Sequence, residues 1–102
     1  CSGFVYWCIN KAGISQGYMT SYMWRSCTRY QRNNNINNVK RGDVIVYYGH
    51  VAICSGKWTM IDASQSNGRI VERSFNSNYW HRNFIAHSAY SDNIGKAVER
   101  KI

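Results

Sequence analysis

Three residues of this chain have the side chains that acyl transfer requires: Cys1, His50 and Asp62. Cys1 opens a stretch in which Cys1, Phe4, Val5, Cys8, Ile9 and Ala12 recur three or four positions apart. That spacing predicts an amphipathic helix over Cys1–Ala12, and Gly13 supplies the left-handed residue that commonly ends one. A thiol at a helix start lies beside unpaired N–H groups and the positive end of the helix dipole. The setting favours the thiolate, which is the nucleophilic form. The competing role for Cys1 is that of a small apolar residue at a frayed end.

His50 follows Gly49 at the start of an apolar run, Val51-Ala52-Ile53-Cys54, with Val44-Ile45-Val46-Tyr47-Tyr48 before it. A structural histidine usually sits in a more polar stretch. Thiol plus imidazole is the minimum apparatus of nucleophilic acyl transfer. Asp62 is a lone acid in Met60-Ile61-Asp62-Ala63-Ser64. From there it can accept from the far ring nitrogen of a histidine and so fix its tautomer. A second role is open to it, capping the following turn through Ser64 or Gln65. Asp43, in Arg41-Gly42-Asp43, shapes a strand entry instead of entering the chemistry. His81 and His87 have no motif around them and read as surface or sheet histidines.

The elements that must position these residues are legible in outline. Met19, Tyr22, Met23, Cys27 and Tyr30 have helical spacing, predicting a second helix within Ser15–Tyr30 with Thr20 or Ser21 as N-cap. Asn33–Asn38 has the composition of a loop. Strands are predicted at Asp43–Tyr48, Val51–Ser55, Trp58–Ala63, Arg69–Ser74 and Phe84–Tyr90, each β-branched or aromatic and bounded by turn residues. Ser55-Gly56-Lys57 and Asn67-Gly68 are hairpin signals, so the sheet should be a mainly antiparallel meander of five or six strands. Helices first and strands afterwards give an α+β domain over residues 1–90, followed by a polar tail, 91–102.

With 102 residues, 44% of them apolar and 15% aromatic, the chain is one folded domain. Lys and Arg number 13 against 5 acids, a formal charge of +8. That excess favours anionic partners: nucleic acid, lipid headgroups or an anionic wall polymer. The basic residues are scattered and no nucleic-acid motif accompanies them, so nucleic-acid binding is not expected. No apolar run is long enough to span a bilayer. The cysteines (Cys1, Cys8, Cys27, Cys54) form no C-x-x-C, so no metal site is expected. Cys8, Cys27 and Cys54 fit buried free thiols.

Cys-Ser-Gly-Phe-Val opening a helix, then Arg-Gly-Asp-Val-Ile-Val-Tyr, Gly-His-Val-Ala-Ile and Met-Ile-Asp-Ala-Ser, together resemble the NlpC/P60 cysteine peptidases. The likeness runs in order from Cys1 to about Tyr90 and includes Asn78-Tyr79-Trp80. It implies a papain-like α+β fold, with helices packed on an antiparallel sheet. It also implies hydrolysis of cell-wall stem peptides, usually between D-γ-glutamate and a diamino acid. By position, Cys1 becomes the nucleophile, His50 the general base and Asp62 the third polar residue. The oxyanion falls to backbone N–H groups of Cys1 or Ser2, and no cofactor is needed. The implied setting is secreted or cell-envelope, or a phage lysin, with peptidoglycan as partner and the chain a monomer.

Three departures stand out. The family's third residue is most often His, with Asn or Gln also used. The stretch that usually precedes the cysteine is absent here, and Gly17–Cys27 lacks the family's Pro-Arg run. Alternatives on the same apparatus are an amidase cutting the sugar–peptide link and a transamidase. Cys1 acting with its own α-amine, or a basic wall- or nucleic-acid-binding module, would be a different kind of protein.

Overall fold

A computed structural model describes residues 1–64 and 68–89. The tail 91–102, Tyr90 and Asn67 of the second hairpin signal lie outside the described residues. Helix α1 spans Ser2–Lys11 with Cys1 as its N-cap. Its apolar stripe buries Val5 and Ile9 completely and leaves Cys1, Phe4 and Cys8 half-buried. Gly13, at φ 90°, ends it, its N–H donating to Asn10 O at 3.1 Å, as the left-handed position requires.

The second helix, α2, is only Ser21–Arg25, shorter than the spacing of Met19 to Tyr30 predicts. Two polar side chains set its ends. Thr20 Oγ1 accepts from Met23 N at 3.2 Å, and Ser26 Oγ donates to Met23 O at 3.3 Å. Met19, Cys27 and Tyr30 therefore pack from flanking loops, with Trp24 as the helix's buried anchor. Asn33–Asn38 is likewise more ordered than a plain loop. Strand β1 takes Arg32–Asn33, and a 3-10 turn follows at Ile36–Asn38, capped by Asn35.

Strands β2 (Val44–Tyr47), β3 (His50–Gly56), β4 (Thr59–Ser64), β5 (Arg69–Ser74) and β6 (Ile85–His87) complete the sheet. Helix α3, Asn78–His81, precedes β6. The order is β1-β6-β2-β3-β4-β5, and every pairing between neighbours is antiparallel. The meander holds from β2 to β5, while β6 returns to the far side of β2 and brings β1 with it. Turn chemistry differs at one hairpin: Trp58, at φ 64°, takes the left-handed position near Gly56. Its ring packs on Phe75 and His81, 5.8 and 6.1 Å between centroids, which offsets the backbone strain of a bulky residue there.

The pleat divides the core in two. Val44, Val46, Val51 and Ile85 face α1 and α2 and pack on Val5, Ile9, Trp24 and Tyr30. Ile45, Tyr47, Ala52, Cys54, Met60 and Ala86 face the other way, onto Phe75, Phe84, Trp58 and Trp80. Because strand side chains alternate with period two, His50, Asp62 and Arg73 fall on this second face.

Candidate active site

His50 begins β3, one turn after β2, where Tyr48-Gly49 reverses the chain. Gly49 has φ 71°, a conformation glycine adopts without strain. This register sets Tyr47 directly across from His50. On the neighbouring strand, Asp62 is fully buried and points to the same face. Nε2 of His50 lies 2.8 Å from Oδ2 of Asp62.

Asp62 is not committed to His50 alone. Arg73 donates Nε to Oδ1 at 3.1 Å and Nη2 to Oδ2 at 2.6 Å. A carboxylate gripped at both oxygens by a guanidinium is an acceptor toward its third neighbour, so the hydrogen of the histidine contact is carried by Nε2. That leaves Nδ1 of His50 as the other ring nitrogen. Trp80 closes the group from α3, with its ring 4.8 Å from the Arg73 guanidinium carbon and 6.1 Å from the His50 ring.

Cys1, Tyr47, His50, Arg73, Trp80 and Arg82 all line one cleft of about 600 Å³. Cys1 also packs against the core on the α1 side of the sheet. The cleft thus wraps over the sheet end at the β2–β3 turn, which is how a helix-start thiol and a strand-start imidazole come to share it. Tyr47 is 6% exposed, and burial pushes its phenol far above the usual tyrosine range; it stays protonated. Its hydroxyl has no hydrogen-bond partner among the described residues.

Of the residues singled out in the sequence, Cys1 and His50 line one cleft, and Asp62 bonds to His50 beneath it. Ser2 stands apart from the cleft lining, its hydroxyl 2.6 Å from that of Tyr18. Asp43 shapes the entry to β2, accepting from Lys40 N at 2.9 Å. His81 is exposed at the end of α3, whereas His87 is a fully buried sheet residue whose Nε2 meets Trp24 O at 2.7 Å. The four cysteines are free thiols.

Arg73, Tyr47 and Trp80 are the site residues that residue types alone do not reveal. A signal for Arg73 exists in the β4–β5 register. Asp62 pairs with Val71, so Arg73 is its diagonal neighbour on the same face, within reach of a long side chain.

Among the described residues no helix is long and apolar enough to cross a membrane. No curated protein and no solved structure matches the sequence. The model of the NlpC/P60 family matches residues 1–89, nearly the whole chain and every residue of the cleft. The chain belongs to the NlpC/P60 family, whose members are cysteine peptidases and hydrolases of the cell wall.

Proposed function

We propose that this chain is a papain-like cysteine peptidase of bacterial stem peptides, cleaving the bond between D-γ-glutamate and a diamino acid. The observation that carries the reading is the His50–Asp62 contact through Nε2, which leaves Nδ1 for a thiol, in a cleft that Cys1 also lines. Nδ1 takes the proton of Cys1, and the thiolate attacks the scissile carbonyl. Backbone N–H groups at the start of α1 receive the oxyanion. His50, now protonated, gives its proton to the departing amine, and water releases the acyl group by the reverse transfer. Asp62 holds the ring in place and stabilises the imidazolium.

The choice of bond is supported by charge. The cleft carries Arg82, while the charges of Arg73 and the neighbouring Asp62 offset each other. Such a cleft favours a substrate with a free carboxylate beside the scissile bond, which D-γ-glutamate has. The formal +8 of the whole chain suits a wall rich in anionic polymers and the extracellular or envelope setting typical of the family.

Digesting purified muropeptides and reading the products by mass spectrometry tests this. The expected products are a fragment ending in D-glutamate and one beginning with the diamino acid. Intact muropeptides, or release of whole stem peptides from the sugar, would overturn it.

A further inference from the structure

The third member of this site is a buried carboxylate, and burying one without compensation is costly. Asp62 has no exposed surface, yet it receives three hydrogen bonds: two from Arg73 and one from His50. Oδ2 takes both His50 and the stronger Arg73 contact. Arg73 also lies over the Trp80 ring, 4.8 Å from its centroid, a cation–π contact that restrains the guanidinium beside the carboxylate.

We propose that Arg73 is a positioning residue of the active site. Its two-point grip fixes the plane of the Asp62 carboxylate, so that Oδ2 faces Nε2 of His50. Its charge offsets that of Asp62, so that His50 meets an oriented acceptor without the full pull of an unpaired buried anion. Lysine cannot replace it, since a point charge does not close two parallel contacts. An acid in place of the family's more usual histidine or amide is thereby accommodated by a cation one strand further on.

Among the described residues, charged and titratable groups reach the His50 ring from several elements. Cys1 shares the cleft from the start of α1, and the protonated phenol of Tyr47 stands opposite on β2. Asp62 lies on β4 and Arg73 on β5. Trp80 adds a neutral ring from α3, and Arg82 a further cation in the cleft. From α2, Arg25 is turned away, donating to Val46 O and Asn83 O and stacked over Tyr48. Among the described residues, Arg73 alone bonds to Asp62 together with His50.

The proposal rests on His50 and Asp62 being base and orienting acid, but its test needs no substrate. A failure to cleave wall peptides would leave it standing. The titration of the His50 ring is followed by NMR in the labelled full chain, in the parent and in Arg73→Met, Asp62→Asn and the double variant. Arg73→Met should move the His50 midpoint up by about one pH unit or more, because the unopposed carboxylate then holds the imidazolium. In the Asp62→Asn background the same change should move it by a small fraction of that. Thermal melting gives an independent reading. Arg73→Met should lower the melting temperature, and adding Asp62→Asn should recover part of the loss, since no charge is then left buried.

Should Arg73→Met not fold, Arg73→Gln removes the charge while keeping a donor, and is read in the same cycle. Equal shifts in both backgrounds would mean that Arg73 acts on His50 by direct repulsion and not through Asp62. That result, or no shift in the parent background, or losses of stability that simply add, would overturn the proposal.

Discussion

Nε2 of His50 lies 2.8 Å from Oδ2 of Asp62, with the acid wholly buried and the ring 20% exposed. One end of the imidazole is thus fixed inside the protein while the ring's edge reaches the cleft. The contact decides which nitrogen is available to Cys1, and the following expectations depend on it.

Asp62→Asn should reduce turnover by on the order of 10 to 10³, less than the acid-to-amide change costs in a serine triad. A thiolate–imidazolium pair leans less on its third member. The amide also turns a donor toward Arg73, so stability should fall by about 1–3 kcal/mol. Turnover and melting temperature measured on one preparation check both. Unchanged values for both would reduce the site to Cys1 and His50 alone.

Cys1 should be alkylated by iodoacetamide in the native protein well before Cys8 and Cys54. Burial pushes both of those thiols up from the ordinary range, and Cys54 is committed to Gly56 O at 3.2 Å. Less thiolate and less access act in the same direction. Peptide mapping after brief labelling near pH 8 would show it, and even labelling of the three would contradict it.

His87 gives a pH dependence of stability unconnected with catalysis. Burial holds its imidazole below the usual histidine range, and Arg32 adds to the effect, against the Trp24 carbonyl, which raises it. The unfolded chain therefore binds this proton at a higher pH than the folded one. Stability from this group is complete above the ordinary histidine value and is lost as pH falls through it, by at most about 1.4 kcal/mol per pH unit. Urea midpoints between pH 5 and 8 should slope upward in the parent and less steeply in His87→Gln. An identical slope in the variant would exclude His87 as the source.

How much of this was legible in sequence follows from where each signal resides. Strands β2 to β5 are runs of β-branched and aromatic residues whose faces must alternate, so their positions and antiparallel order could be read directly. Arg69–Ser74 is found with its predicted bounds. Cys1, His50 and Asp62 were legible because each stands out from its neighbours: a thiol at a helix start, a base and an acid in apolar strands. What depends on contacts between distant segments was not. The start of helix α2 after Thr20 was legible, but its stop at Arg25, where the Ser26 hydroxyl bonds back to Met23 O, is something helical spacing does not register. β1 exists because β6 pairs with it, in a segment whose own asparagines favour a loop. Arg73 looked like one more scattered basic residue until the β4–β5 register set it diagonally across from Asp62.

The central claim is that the Cys1 thiol performs the cleavage, and hydrolysis of stem peptide by Cys1→Ser measures it most directly. A hydroxyl at the start of α1 preserves size and packing but lacks the readily formed thiolate. The variant should be folded, with circular dichroism matching the parent, and should release no new amino groups from the peptide. Parent-like turnover by that variant would contradict it.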